Sequence, residues 1–402
     1  MTINNEHNKL NVPNLRFPEF QGEWEEYKLE DITAEIGDGI HATPIYDDNG
    51  TFYFVNGNNI SEYGITITAT TQKVTAEEAL RNNASALNSY SILLSINGTI
   101  GNVALYKNEP IMLGKSACYI NVSSNINRNY IFYYLMMPKC QFYFTSELTG
   151  TTIKNLSLKS VRKTKVLLPN ANEQSKIARL FDAINERIAT QNKIIEDLKK
   201  LKCAIIEKHY RQAKLHKYTI CDLGVPFSVG SLSKEDLSEE GYECILYGEL
   251  FTTYGCVINE VKSHTNKIAN TTLSQKGDLL FPSSTTVDAV SLISPSVIDI
   301  PNVILGGDMF GIHIDKKFNA YYLSYYINLI ARKKLAIYAK GSTIIHLHYK
   351  DIAKAQLLLP DLCEQDKIAK CMMAEDAKIK VEEQLLTILE KQKQYLLRQM
   401  FI

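Results

Sequence analysis

The amino-acid sequence predicts an α+β chain in which two globular domains alternate with two long helices of coiled-coil type. Two observations predict this fold class. First, residues 150–210 can be slid forward by 191 positions onto 341–401 without a gap, and about a third of the aligned positions are identical. Second, apolar residues recur at coiled-coil spacing over about five heptads at the end of each copy, whereas short β-favouring runs fill the front of each copy.

The internal repeat reaches almost the whole chain. Gly150-Thr151-Thr152-Ile153 falls on Gly341-Ser342-Thr343-Ile344, and the same offset places Tyr27 on Tyr218. A chain of two copies can present two separate readers, and this suits a two-part, roughly symmetric target. The predicted boundaries are an N-terminal arm (1–23), a first globular domain (24–170), a long spacer helix (171–214), a second globular domain (215–360) and a C-terminal long spacer helix (361–402).

The composition excludes several classes of protein. With 402 residues and 45% hydrophobic content, the chain can bury real cores, so it is neither disordered nor fibrous. Its eight cysteines include no C-x-x-C pair and no zinc-like cluster, which indicates reduced thiols in a cytoplasmic protein without a metal site. The polar first twenty residues and the lack of a long apolar run predict no export signal and no membrane partner. Because Lys plus Arg equals Asp plus Glu, a DNA-binding function would require locally segregated charge or a partner that supplies phosphate contacts.

Each globular domain is predicted to consist mainly of short strands separated by turns, with one helix near its end. The two domains share this layout but little identity. Predicted helices span 130–137, closed by Pro138, and approximately 320–330. Predicted strands lie within 50–57, 65–68, 91–98 and 103–106 in the first domain, and within 244–248, 277–284 and 305–314 in the second.

The two long helices carry an apolar stripe on one face. Residues 170–172 can cap the first helix, because short polar side chains accept hydrogen bonds from the free amides of an opening turn. Helices of about 39 residues would be nearly 60 Å long, which suits spacers; two unrelated core helices are the alternative. The stripe comprises Ile177, Phe181, Ile184, Ile188, Ile195, Leu198 and Ile205 in the first helix, and Ile368, Met372, Ile379, Leu386, Leu389 and Leu396 in the second.

No known catalytic motif is present in the sequence. It contains no Walker-type phosphate loop, no H-E-x-x-H, no G-x-S-x-G and no dinucleotide fingerprint. It also lacks the N-P-P-Y or D-P-P-Y string of an adenine or cytosine amino-methyltransferase and a convincing nuclease carboxylate pattern. The chain is therefore expected not to be an enzyme.

Polar loops in the divergent fronts are the candidates for reading DNA bases. Asparagine amides can bind adenine bidentately in the major groove; the alternative is that these Asn and Gly residues are simply turn formers. A polar loop follows a hydrophobic strand at corresponding places in both copies, at 97–99 and at 283–286. The candidates are Gly39, His41, Asn56, Asn58 and Asn97 in the first domain, and Tyr247, Glu249, Ser283 and Ser284 in the second.

The repeated Gly-[Thr/Ser]-Thr-Ile loops are the candidates for contacting phosphates. Hydroxyls, free backbone amides and cations suit phosphate oxygens, which position a protein without specifying sequence. An ordinary strand-to-loop turn and a solvated basic face are the alternatives. The candidates are Thr151, Thr152 and Lys154 in the first copy, and Ser342, Thr343 and His346 in the second.

The arrangement resembles the specificity subunit of type I restriction-modification systems along nearly the whole chain. The opening Leu15-Arg16-Phe17-Pro18-Glu19-Phe20 is similar to the usual start of that family. The boundary Leu-Pro-x-x-x-Glu-Gln-x-Lys-Ile-Ala occurs twice, at 168–178 and 359–369, each time leading into a long helix. The resemblance implies two target-recognition domains that each read one half of a bipartite double-stranded DNA target, with the long helices packed antiparallel as spacers.

The resemblance also implies partners and cofactors. Two methyltransferase subunits would bind the chain and use S-adenosylmethionine for adenine methylation, and restriction-translocation subunits would add ATP- and Mg-dependent cleavage. The chain itself is expected to bind none of these cofactors. Rival interpretations are the specificity chain of a related bifunctional restriction system, a stand-alone DNA-modifying enzyme and a structural coiled-coil adaptor.

Overall fold

A computed structural model describes residues 11–82, 84–150 and 154–402 of the chain. Two compact units divide it: unit 1 is Met1–Asn192 with Gln384–Ile402, and unit 2 is Lys193–Glu383. Each unit therefore contains one globular front and segments of both long helices. The domain boundaries given above remain predictions.

The strands of unit 1 form a four-stranded antiparallel sheet and a smaller three-stranded sheet. The order of the first is β2-β10-β7-β8 and that of the second is β6-β3-β9, in which β3 and β9 are parallel. The central strands β7 and β10 are buried along their whole length, as their apolar runs require. In chain order the strands are β1 (Glu25–Lys28), β2 (Thr33–Asp38), β3 (Phe52–Val55), β4 (Ile60–Ser61), β5 (Gly64–Ile65), β6 (Lys73–Val74), β7 (Ser91–Ser95), β8 (Val103–Leu105), β9 (Ile111–Leu113), β10 (Ala117–Val122) and β11 (Lys165–Leu168).

The predicted helix of the first domain is present and ends just before Pro138, as predicted. The sequence did not predict that Pro138 is the first residue of a second helix, where its missing N–H and fixed φ are favourable. In chain order the helices that begin in unit 1 are α1 (Ala76–Arg81), α2 (Arg128–Met136), α3 (Pro138–Ser146), α4 (Leu158–Arg162) and α5 (Ala171–Gln212), with 3₁₀ turns at Leu29–Ile32, Gly57–Asn59 and Ala84–Ala86.

Unit 2 has two five-stranded mixed sheets. Their orders are β13-β23-β19-β21-β16 and β14-β17-β15-β22-β18. The strands are β12 (His216–Thr219), β13 (Gly224–Ser228), β14 (Leu237–Ser238), β15 (Tyr242–Leu246), β16 (Val257–Ile258), β17 (Ser263–Thr265), β18 (Thr272–Leu273), β19 (Asp278–Pro282), β20 (Ser284–Thr285), β21 (Ser296–Ile298), β22 (Ile304–Gly306), β23 (Met309–Ile314), β24 (Ile345–His346) and β25 (Gln356–Leu359).

The predicted helix near 320–330 is interrupted by a π-helical segment at Ile327–Ala331. The helices of unit 2 are α6 (Glu249–Thr252), α7 (Ala289–Leu292), α8 (Ala320–Tyr326), α9 (Arg332–Leu335), α10 (Tyr349–Ile352) and α11 (Leu362–Gln399), with 3₁₀ turns at Ile220–Asp222, Lys234–Asp236 and Ala336–Tyr338. Among the described residues, no helix has the length and apolarity needed to cross a bilayer.

The sequence repeat is also a structural repeat. β1 pairs antiparallel with β11, with Tyr27 opposite Val166. β12 pairs with β25 in the same way, with Tyr218 opposite Leu357. Tyr218 follows Tyr27 by 191 positions, and Leu357 follows Val166 by the same 191 positions. The first and last strands of each copy therefore pair in the same register.

The repeated Glu-Gln motif anchors the start of each long helix. Asn170 and Asp361 cap α5 and α11 by accepting the amides of Glu173 and Glu364, both at 3.0 Å. The next residue, Gln174 or Gln365, then donates to the proline carbonyl five residues back at 2.8 Å. Its side-chain oxygen accepts the amide of Asn127 or Asn319 at 3.1 or 3.0 Å, and these asparagines cap α2 and α8. The motif thus joins each long helix to a helix of its own front, α2 in unit 1 and α8 in unit 2.

The predicted apolar stripe is buried within both units. In unit 2, Lys199 Nζ lies 2.7 Å from Glu383 Oε1, and Lys202 pairs with Asp376, so α5 and α11 run antiparallel there. In unit 1, the Phe401 ring lies 5.3 Å from Tyr130 and 5.6 Å from Phe181. Buried stripe residues are Ile177, Phe181, Ile188, Ile195, Leu198, Ile368, Met372, Ile379 and Leu389, and half-buried ones are Ile184, Ile205, Leu386 and Leu396.

Candidate nucleic-acid interface

The residues that flank the repeated Gly-[Thr/Ser]-Thr-Ile segment form the same bridge in both copies. Thr149 pairs with Asn155 in the first copy, and Lys340 pairs with His346 in the second, in both cases as an antiparallel bridge. Gly150 and Gly341 adopt positive φ values of 92° and 125°, which favour glycine at the turn. We call these segments the first hairpin loop (149–155) and the second hairpin loop (340–346). Thr151 and Thr152 lie outside the described residues.

Three loops of unit 1 meet beside the first hairpin loop. Asn97 bridges Asn155, and its amide nitrogen lies 3.4 Å from the carbonyl oxygen of Lys115. The Ser116 hydroxyl accepts the amide of Gly57 at 2.8 Å and donates to Asn56 Oδ1 at 2.8 Å. The fold therefore gathers polar groups from distant parts of the first domain on one rim, which we call the unit 1 rim (56–59, 97–99, 115–116 and 154–155).

Two of the three predicted asparagines on this rim, Asn56 and Asn58, have different surroundings. Asn56 is half-buried, with its carbonyl oxygen bound to Ser116 and its backbone amide bound to Asn59 Oδ1 at 3.0 Å. Asn58 is exposed, and within the described part of the chain its side chain forms no hydrogen bond. Asn58 can therefore present a complete amide to a base edge, whereas Asn56 chiefly holds the loop.

Gly39 and His41 approach the rim from the end of β2. Gly39 is buried, and a Cβ built on it would come within 2.2 Å of the Gly114 carbonyl oxygen, so only glycine fits. His41 is exposed, with Nε2 2.8 Å from Asp38 Oδ2. Gly39 therefore has a backbone role in shaping the rim, and His41 is free on its solvent side to contact a ligand.

In unit 2 three of the predicted residues border one cavity of about 850 Å³. Tyr247, Ser284 and His346 line it, with further lining from Thr286 and Arg332. Ser284 and His346 are paired residues of β20 and β24, the counterpart of the Asn97–Asn155 bridge in unit 1. We call this the unit 2 cleft. Its walls offer hydroxyl, imidazole and aromatic groups in a concave site, a combination suited to base edges.

Other candidates of unit 2 serve the framework of the cleft. Glu249 accepts the Leu246 amide at 2.8 Å and the Ser263 hydroxyl at 2.6 Å, so both carboxylate oxygens are occupied. Ser283 is buried, and its backbone bonds Asp308 and Leu347. Ser342 and Thr343 are exposed on the second hairpin loop, where phosphates could reach their hydroxyls.

Cations flank the hairpin loops. Lys154 is exposed at the end of the first loop. At the second loop, Lys340 Nζ lies 2.5 Å from Asp351 Oδ1, and this hydrogen bond holds the pKa of Asp351 below its usual range. The first loop thus offers a cation to a phosphate, while the cation of the second is already paired to a carboxylate.

Several residues of these surfaces were not among the predicted ones. Asn155 is the partner of His346 under the 191-residue offset, so the repeat itself could have identified it. Ser116 and Arg332 carry no local sequence signal. Only the tertiary fold brings them beside the rim and the cleft.

The chain belongs to the family of the type I restriction modification DNA specificity domain, which it matches at residues 21–200 and 220–391. The two matched segments correspond to the two copies of the repeat. It is therefore a type I restriction-modification specificity subunit, as the sequence motifs predicted. Subunits of this class provide DNA recognition.

Relatives and solved structures of type I systems are also similar to this chain. A protein of Methanocaldococcus jannaschii described as the type I restriction enzyme MjaX specificity subunit is 24% identical over 414 residues, covering 95% of this chain and 94% of that protein. The S subunit of the type I system of M. genitalium superposes with a TM-score of 0.60 at 17% identity, covering 97% and 99% of the two chains.

A second solved structure, from work on complex assembly and conformational transition of the type I R-M system, gives a TM-score of 0.57 at 14% identity, covering 94% of this chain and 97% of that one. At these identities the superpositions establish the fold alone. They confirm the predicted α+β fold class with its internal repeat and two long helices.

Proposed function

We propose that the chain reads a bipartite double-stranded DNA target, with the unit 1 rim at one half-site and the unit 2 cleft at the other. The observation that carries the proposal is the repeated hairpin loop, which in each unit lies beside polar groups from a divergent front. Two domains that share a backbone arrangement but differ in the side chains beside it are suited to binding two different DNA sequences.

The polar groups on each surface fall into two roles: groups that both copies share are assigned to phosphate contacts, and groups that differ between the copies are assigned to base contacts. The hairpin loops recur in both units, so they suit the feature that every half-site has, the phosphate backbone. Thr151, Thr152, Lys154, Ser342 and Thr343 are assigned to this role. Side chains that differ between the copies suit base edges, and the free amide of Asn58 and the cleft-lining Tyr247, Ser284 and His346 are the best placed.

The proposal includes the catalytic partners that such a subunit needs. In the cytoplasm, two methyltransferase subunits carrying S-adenosylmethionine would modify adenine in the selected site. Restriction-translocation subunits using ATP and Mg would cleave unmodified DNA. The chain itself would bind no cofactor and carry no catalytic group. Its relatives' descriptions as restriction-enzyme specificity subunits, and one solved assembly of a type I system, support this arrangement.

Sequencing of methylated DNA tests the proposal. The chain, expressed with its own methyltransferase partner in a host without other modification systems, should produce methylated adenines in a motif of two specified parts separated by unspecified bases. A single continuous motif would contradict a two-reader function. Methylation that persisted in the same motif without the chain would also contradict it.

A further inference from the structure

Two equivalent lysines interrupt the apolar stripes of the long helices. Lys202 on α5 and Lys393 on α11 are separated by the same 191 positions as the repeat. Their side chains are only 16% and 3% exposed. A desolvated ammonium group is costly unless a carboxylate compensates its charge, so each lysine requires a counter-ion in its own unit.

In unit 2 the counter-ion lies on the other long helix. Lys202 pairs with Asp376 of α11. The second oxygen of Asp376 accepts the Tyr325 hydroxyl at 2.6 Å, and Lys202 Nζ lies 5.2 Å from the centre of the Tyr325 ring. Both charges therefore belong to the helices, with an aromatic side chain of α8 beside them.

Unit 1 has no carboxylate at the equivalent position of its long helix. The repeat partner of Asp376 is Asn185, a neutral amide whose nitrogen donates to the Tyr133 hydroxyl at 2.9 Å. Lys393 instead forms its ion pair with Glu62, a residue of the globular front. In unit 1 the counter-ion of the buried lysine is therefore provided by the globular front and not by the other long helix.

Glu62 lies next to the reading loop of the unit 1 rim. It occupies the turn between β4 and β5, four residues after Asn58. The intervening Ile60 is buried, and its carbonyl accepts the Asn102 amide at 3.0 Å. The hairpin is closed beside Asn58, because the Asn59 carbonyl accepts the Thr66 amide at 2.8 Å and the Asn59 side-chain nitrogen donates to the Thr66 carbonyl at 3.0 Å. A shift of Glu62 would therefore be transmitted to Asn58.

We propose that the Lys393–Glu62 ion pair is a positioning device that fixes the 56–59 loop against the C-terminal helix. Lys393 and Glu62 do not read bases; they determine where Asn58 stands. This inference rests on the proposed function. It adds that base discrimination in one half-site, and not in the other, depends on a residue of the helix.

The test compares four variants of the chain assembled with its methyltransferase partner. Glu62→Gln keeps the shape of the side chain but leaves the buried Lys393 charge without its counter-ion, so its unfolding midpoint is measured as well; Lys393→Met is the variant expected to keep the fold, because the carboxylate it leaves unpaired is 31% exposed. Lys393→Met removes the opposite charge, and the exchange Glu62→Lys with Lys393→Glu restores a pair of reversed polarity. Lys202→Met is the matched control, because it removes the equivalent cation of unit 2. Competition binding against single-base variants of both half-sites is the measurement.

Glu62→Gln and Lys393→Met should each reduce discrimination about tenfold in the half-site read by unit 1, the scale of one misplaced base contact. Discrimination in the other half-site should be unchanged, and the reversed pair should recover most of the loss. Lys202→Met should spare the first half-site.

Equal loss in both half-sites, or unchanged discrimination in Glu62→Gln, would overturn the positioning role. Failure of the proposed function is visible separately, because the unmodified complex would then show no two-part preference at all.

Discussion

Asn56 and Asn58 should respond oppositely when each is replaced by alanine, although they are two residues apart. Asn58 is exposed, and its side chain has no hydrogen-bond partner among the residues that the structure describes, so Asn58→Ala removes no contact seen there. An amide bound bidentately to adenine contributes about 1–3 kcal/mol of discrimination, or roughly 5- to 150-fold. Asn58→Ala should therefore reduce preference at one base position by that factor and leave the unfolding midpoint unchanged.

Asn56→Ala should chiefly affect stability. It removes the acceptor of the Ser116 hydroxyl, a bond of 2.8 Å between half-buried groups. Such a bond contributes about 0.5–1.5 kcal/mol to the free energy of unfolding. The assay pairs denaturant unfolding of the full chain with competition binding of the assembled complex against all single-base variants. The reasoning would be refuted if Asn58→Ala destabilised the chain without changing base preference.

Three further substitutions test the phosphate loops and the core. Lys154→Ala should weaken binding to all sequences alike and lower the slope of log affinity against log salt by about one, as measured by titration at several salt concentrations. Gly341→Ala should weaken binding of the whole site, because its Cβ would come within 2.0 Å of the Ile344 carbonyl at a φ of +125°; Gly255→Ala, which meets open space, is the control. Phe181→Ala should lower the free energy of unfolding by about 3–5 kcal/mol in denaturant, since its fully buried ring packs on Tyr133 and Phe401.

The features that the sequence predicted best are those that repeat. The 191-residue offset predicted two equivalent copies, and the structure shows the same register at Tyr27–Val166 and Tyr218–Leu357. The apolar stripe of the long helices was predictable because coiled-coil spacing depends only on residues a few positions apart in the sequence. Asn170 was predicted as part of the cap because capping depends only on the next three residues.

Long-range pairing was beyond sequence reasoning. Pro138 was correctly interpreted as the end of one helix, but the helix that begins at Pro138 itself was not predicted. The parallel pairing of β3 with β9 joins residues 58 positions apart, such as Tyr53 and Ile111, and no local pattern specifies it. The same is true of Ser116 beside Asn56, and of the salt bridge that Lys393 forms with Glu62.

Exchange of one front between relatives is the most direct test of two autonomous readers. Residues 24–170 would be replaced by the matching domain of a relative with a different target, and DNA methylated by the assembled complex would be sequenced. We expect one half of the motif to change to that of the relative while the other half stays as it was. A change in both halves, with the complex still active, would contradict the account.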